Sequence, residues 1–266
     1  MTDLHALINT DQHRLTDANW MMAKRKELDA QGAVQMRRFL QPDALGALQK
    51  EAAMGLNKAY FKPQSHNIYL DKGDEARPDS HIRNRRVTSS KGCITDDQIA
   101  AESVLKLIYH HTDFVYALCF ILGEDALHPY ADSLSSVNIH YARRGEELNW
   151  HFDNSSFAVT LMIQPATAGG TFEYVRNVRD ADRGEMGFIR AEAVVDGRQP
   201  ADQLRLNAGD LLLFRGRNSL HRVTPVADDS TRQLAVLAYN SQPGVSLSET
   251  AQMTFYGRTS GPARKV

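Results

Sequence analysis

The spacing of apolar positions changes about halfway along the chain. Residues 17–31 (DANWMMAKRKELDAQ) predict a helix capped by Asp17 and ended near Gly32. The next run, AVQMRRFL (33–40), alternates as a short strand does. Pro42 then opens a second helix, PDALGALQKEAAMG, with Ala44, Leu45, Leu48 and Ala52 near one face. Residues 57–95 are polar and irregular, with NIYL as the one strand candidate. Residues 96–122 predict two helical segments, DDQIAAESVLKLIYHH and DFVYALCFILG, capped by Asp96 and closed by Gly123.

After Pro129 the period shortens. SSVNIHYA, FAVTLMIQ, GGTFEYV, QLRL, DLLLF, HRVTPV and RQLAVLAY follow one another with Gly, Asp, Asn and Pro between them. Short strands at such intervals indicate a sandwich or barrel rather than βαβ units. The expected organisation is one domain over 1–266: mostly helical support and lid in 1–128, a β core in 129–245 and a tail in 246–266.

Composition narrows the function classes. The formal net charge of −1 gives no global pull toward nucleic acid or an anionic membrane. No window approaches the ~20 apolar residues of a membrane span, and the N-terminus has no basic stretch followed by an apolar core. Cys93 and Cys119 are the only cysteines, which fits a reducing cytoplasm and excludes a thiolate zinc site. The expected partner is a small molecule, with no nucleic acid polymer and no membrane; a homodimer is compatible with the sequence.

Candidate chemistry gathers in the C-terminal half. His151 and Asp153 head the apolar run FAVTLMIQ, and extended residues two apart point to one side. His221 opens another β-like run after a turn-rich connection and is the best-placed third ligand. Two histidines and one carboxylate on one face of a metal, with open positions opposite, is the arrangement of non-haem Fe(II) oxygenases. A lone His-x-Asp also occurs as a turn or cap, and it is the context that favours the metal. Arg232, eleven residues after His221, starts the strand RQLAVLAY. It either reaches inward to bind a carboxylate bidentately or faces solvent after the polar turn ADDST.

The order His-x-Asp, GGTF, AGDLLLF, LHRVTPV and then an arginine about ten residues on resembles the Fe(II)/2-oxoglutarate-dependent dioxygenase superfamily. The likeness covers roughly residues 130–245, with FLQPDALGALQ similar to that superfamily's strand-helix lead-in. The wording is also similar to the hydroxylase relatives of free-amino-acid radical halogenases. The resemblance implies a mainly β fold, a double-stranded β-helix (cupin-like jelly roll) supported by N-terminal helices. It implies Fe(II), 2-oxoglutarate and dioxygen as cofactor and co-substrates, with His151, Asp153 and His221 as ligands. Arg232 would pair with the distal carboxylate of 2-oxoglutarate. Tyr141 and Asn138 match positions that often touch the co-substrate, or are ordinary barrel-lining polar residues.

In the halogenases of this resemblance, Gly or Ala replaces the carboxylate ligand and leaves a halide position. Asp153 fills that position here, so hydroxylation is expected, with desaturation as an alternative outcome, on a free amino acid or derivative. A nucleotide or other specialised metabolite is the alternative substrate. The basic segment HIRNRRVTSSKG supplies Arg86 and then Arg83 as candidate substrate contacts, or else is a solvated loop. Asn154 and Asn240 are the candidate polar contacts nearer the barrel. Other classes are a non-catalytic cupin-like binding module and a Zn(II) or Mn(II) cupin; neither needs Arg232.

Overall fold

The computed structural model describes residues 3–260. Its helices are α1 (Leu4–Leu7), α2 (Ala18–Gln31), α3 (Pro42–Gly55), α4 (Val104–Tyr109), α5 (Thr112–Leu122), α6 (Phe188–Val195) and α7 (Glu249–Tyr256). Its strands are β1 (Ala33–Met36), β2 (Tyr60–Phe61), β3 (Gln64–Asn67), β4 (Arg86–Ser89), β5 (Gly92–Ile94), β6 (Val137–Ala142) and β7 (Leu148–His151). They continue as β8 (Ala158–Gln164), β9 (Phe172–Val175), β10 (Asp202–Leu204), β11 (Leu211–Phe214), β12 (Leu220–Val223) and β13 (Arg232–Leu237).

The local signals explain most of the helices. Asp17 accepts from the Trp20 N–H at 2.9 Å, and Gly32 ends α2 at φ 70°, a left-handed conformation that glycine adopts without a Cβ clash. Gly123 does the same for α5. The segment from Asp96 departs from expectation. Asp96–Gln98 is a single 3₁₀ turn capped by Thr95, and the helix proper starts after Ser103, whose hydroxyl accepts from the Leu105 N–H. The NIYL strand does not form: only Asn67 lies in a strand, and residues beyond it turn, Leu70 at φ 55°. Helix α6 lies inside the expected β core, between the GGTFEYV and QLRL runs, and α7 lies in the expected tail.

Two antiparallel sheets face each other. The larger has the order β1-β11-β8-β13-β6-β5-β2 and the smaller the order β10-β9-β12-β7; β3 and β4 form a separate ribbon. This is a jelly-roll double sheet with helices behind it. One face of the large sheet, through Val137, Ile139, Tyr141, Ala235 and Leu237, packs on Leu48, Ala52, Phe114, Leu118 and Ile121 of α3 and α5. The opposite face meets the small sheet through Met162, Phe172, Tyr174, Leu212, Phe214, Val223 and Leu234. The outer face of the small sheet carries Trp150, Val175 and Leu220, covered by Ile68, Tyr69, Ile82 and the α6 residues Ala191 and Val194.

The chain crosses between the sheets at residues 89–92. The Ser89 hydroxyl accepts from the Asn149 N–H at 3.0 Å and Ser90 N–H donates to the Glu147 carbonyl, so β4 lies against β7. Three residues later β5 is paired with β6, Cys93 opposite His140. Lys91 stands at this crossover. Gly92 leaves room there for the Phe61 ring, which would have to shift to admit a Cβ 2.4 Å away. No helix among the described residues is long and apolar enough to cross a membrane.

Candidate metal centre

The strand pairing brings the polar residues of two distant segments together. β7 and β12 are antiparallel with His151 directly opposite His221, and a register shift lies between His221 and Val223. The imidazole centroids are 4.1 Å apart. Asp153 follows two residues beyond the end of β7. Its Oδ1 lies 3.6 Å from Nε2 of His151 and 3.5 Å from Nε2 of His221. All three ligand atoms fall within 4.8 Å of one another.

One expectation is corrected here. His-Phe-Asp does not open the run 157–164; His151 ends β7, and the chain turns before β8. β8 belongs to the opposite sheet, between β11 and β13, so the wall behind the ligands is β12 and β9.

Backbone carbonyls orient the rings. Nδ1 of His151 lies 2.7 Å from the Asn149 carbonyl, and Nδ1 of His221 lies 3.0 Å from the Ser219 carbonyl. A carbonyl only accepts, so the ring protons sit on Nδ1 and the Nε2 lone pairs face Asp153. Phe214 packs edge-on against His221 at 4.8 Å. Burial first, then the neighbouring His221, pull the His151 pKa down to about 3, so this ring is neutral at physiological pH. Burial pushes the Asp153 carboxyl up, but His221, His151 and Arg179 together hold it below its ordinary value. Two imidazoles with Nδ1 turned to backbone carbonyls and one carboxylate therefore share a point. That donor set fits a divalent first-row metal on one face. Oδ1 faces the two imidazoles, while the second carboxylate oxygen, Oδ2, is buried without a hydrogen-bond partner.

The seat of that carboxylate is a glycine. Asp153 N–H donates to the Gly216 carbonyl at 3.1 Å, and a Cβ on Gly216 would lie 1.7 Å from Oδ2. Arg179, its guanidinium 4.2 Å over the Phe152 ring, donates to the Asp153 carbonyl at 3.2 Å from the other side.

The other sequence candidates separate. Arg232 lies on the face of β13 that carries Leu234 toward the small sheet. It is buried, forms no ion pair among the described residues, and its Nε has no hydrogen-bond partner. Burial brings its pKa down to about 10. It borders a cavity of about 250 Å³ with Met162, Gly170, Phe172 and Leu206. Asn138 is also on the inner face, but its Nδ2 donates to the Leu134 carbonyl and its Oδ1 accepts from Tyr256. Tyr141 is not brought to the site: strand alternation turns it to the helical side, where its hydroxyl donates to the Ala52 carbonyl at 2.8 Å.

The loop arginines also lie elsewhere. Arg86 is exposed and bonded to Ser65 on the neighbouring strand. Arg83 pairs with Asp71 at 2.6 Å over the Tyr69 ring, in the layer outside the small sheet. Asn154 is exposed in the turn after Asp153. Asn240 pairs by backbone with His128, eight residues along the chain from Arg232. Sequence reasoning missed Gly216, Arg179, Lys91 and His140. Of these, only Lys91 carried a visible signal, as the last cation of the basic segment.

Expected outcome: Gly216→Ala destabilises the protein by about 1–3 kcal/mol through overpacking against the carboxylate, and much less in an Asp153→Gly background. Thermal unfolding of the four proteins of this double-mutant cycle measures it. Equal losses in both backgrounds would mean that Gly216 does not seat Asp153.

Solved structures share this architecture. SnoK, described as a non-heme alpha ketoglutarate dependent carbocyclase from nogalamycin biosynthesis, aligns with TM-score 0.59 at 13% identity, over 92% of this chain and 93% of its own. AviO1 from Streptomyces viridochromogenes aligns with TM-score 0.58 at 16% identity, over 86% of this chain and 97% of its own. An oxidoreductase of the 2OG-Fe(II) oxygenase family from Burkholderia pseudomallei aligns with TM-score 0.54 at 14% identity, over 85% and 93%. At such identities the likeness is one of fold. No curated protein matches the sequence. Residues 16–255 match the family model described as Halogenase D, and the chain belongs to that family.

Proposed function

We propose that the protein is an Fe(II)/2-oxoglutarate-dependent oxygenase that hydroxylates an unactivated C–H bond of a small polar substrate, a free amino acid or a derivative of one. The observation that carries the reading is the convergence of His151, Asp153 and His221 with Asp153 seated against Gly216. Bound Fe(II), with 2-oxoglutarate and dioxygen, supplies oxidative decarboxylation and the oxidising power for C–H attack.

The chain's own contribution is position and charge. Nε2 of His151 and of His221 and the Asp153 carboxylate would hold the iron from one side. The Asn149 and Ser219 carbonyls keep the ring protons on Nδ1, so both imidazoles present lone pairs. Arg232 would receive the distal carboxylate of 2-oxoglutarate: a buried guanidinium without a carboxylate partner among the described residues is suited to a fixed, bidentate anion. Phe172 and Phe214, packed around His221, keep water from the inner side of the site.

Asp153 sets the reaction type. Members of the resembled halogenase group carry Gly or Ala where Asp153 stands, and the emptied position accepts halide. A carboxylate occupying it supports hydroxylation over halogenation for this chain, despite the family's name.

Three results test the reading. Anaerobic addition of Fe(II) and 2-oxoglutarate should produce a visible charge-transfer band. Turnover with a panel of free amino acids should then release succinate and a product heavier by one oxygen. A product lighter by two hydrogens would make the reaction a desaturation, and a chlorinated product in chloride buffer would overturn the role given to Asp153. In the second test, Asp153→Gly is expected to abolish hydroxylation; turnover at the parent rate would remove Asp153 from the ligand set. In the third, Arg232→Ala should raise the 2-oxoglutarate concentration required by about 30-fold or more, about 2 kcal/mol, with metal affinity kept. An unchanged co-substrate dependence would sink that assignment.

A further inference from the structure

Lys91 and His140 form a polar pair on the inner wall that the preceding roles do not use. Lys91 Nζ lies 3.0 and 3.1 Å from the two ring nitrogens of His140. Their direction follows from register. His140 pairs across the sheet with Leu234 and with Cys93, and Leu234 faces the small sheet. Lys91 immediately precedes β5, and its contact with the His140 ring places its ammonium on that same inward side. Both residues stay partly accessible, so the pair is not sealed by the surrounding side chains.

The electrostatics are incomplete without a further group. No carboxylate among the described residues pairs with Lys91; its side-chain partner is His140 alone. Burial pulls the Lys91 ammonium pKa down. Burial, then Lys91 and Arg232, hold His140 well below its ordinary value, so this ring is neutral. A partly buried ammonium beside a neutral ring carries a desolvation penalty that no carboxylate among the described residues offsets. Such a group is compensated when an anion arrives.

We propose that Lys91 and His140 form an anion seat on the inner barrel wall, separate from Arg232, that takes a carboxylate of a small acid. A single ammonium next to a neutral imidazole matches the single charge of a carboxylate better than a doubly charged phosphate. The carboxylate belongs either to the substrate or to 2-oxoglutarate. The link to catalysis rests on the oxygenase reading above; the anion chemistry does not.

The test uses the full chain and Lys91→Met, which removes the charge and keeps an apolar stem. One arm titrates 2-oxoglutarate into the anaerobic Fe(II) protein and follows the charge-transfer band. A second arm measures, by calorimetry with and without metal, binding of free amino acids and their carboxamides. A substrate carboxylate is indicated if the parent binds at least one acid about tenfold tighter than its amide and Lys91→Met erases the difference. A co-substrate carboxylate is indicated if Lys91→Met weakens 2-oxoglutarate about tenfold with metal affinity unchanged. In either case ligand-free Lys91→Met should melt at or above the parent temperature, because an uncompensated buried charge has been removed.

Unchanged 2-oxoglutarate affinity together with unchanged or absent acid-over-amide preference would overturn the seat. So would a lower melting temperature of the ligand-free variant, which is the mark of a merely structural lysine. Failure of the oxygenase reading looks different: the parent itself gives no charge-transfer band, while the metal-free acid arm still reports on Lys91.

Discussion

The antiparallel pairing that sets His151 opposite His221 is the contact on which the site depends. Side chains alternate between faces with a period of two, so a slip of one residue would send one imidazole out to the Trp150 layer. The register is held from both sides. Leu220 and Trp150 are buried against the outer cluster, while Val223 packs with Phe172 and Phe214 within. Once it holds, Asp153 has one place to go. Its N–H is taken by the Gly216 carbonyl, and the bare α-carbon of Gly216 leaves room for the carboxylate. Metal competence is therefore a packing result as much as a matter of ligand identity.

The interior that these ligands face carries an unusual balance of charge. Two cations, Arg232 and Lys91, stand on the wall of the large sheet without carboxylate partners among the described residues. The single carboxylate among these residues, Asp153, is turned toward the imidazoles across from them. Elsewhere cations are neutralised where they stand: Arg83 by Asp71, Arg222 by Glu173 and Arg258 by Asp97. Leaving a charge unpaired in a dry interior is costly, so the contrast marks the barrel lumen as a place for anionic ligands. The crossover at residues 89–92 creates part of it, by carrying the chain from beside β7 of the small sheet to β5 of the large one.

Membership of the Halogenase D family and possession of Asp153 pull in different directions, and the geometry weighs them. A family name describes a scaffold and a range of chemistries; the reaction is decided by what occupies the metal face. Here the occupant is a carboxylate at ligand distance from both imidazoles, with a glycine packed behind it. The scaffold is that of the family, while the carboxylate in the His-Asp-His group is what the proposed hydroxylation rests on.

Local chemistry in the sequence was enough to place α2, α3, α5 and most of the late strands, because caps, proline and alternation act over a few residues. It also singled out His151, Asp153 and His221, which the fold brings within 4.8 Å of one another, while the part given to Arg232 is a proposal. Strand alternation by itself could not say which face of β6 looks inward, and so Tyr141 was assigned to the co-substrate when it reaches back to Ala52. The basic segment was legible as charge, but sheet edges decided which cation enters: Arg86 bonds to Ser65 outside, and Lys91 turns in. Gly216 left no trace in sequence, because the need for a missing Cβ exists only once Asp153 is brought against it from 63 residues away. The chain's own pattern determined the elements and the donor types; long-range register decided what each donor faces, because a strand's neighbours are not its neighbours in sequence.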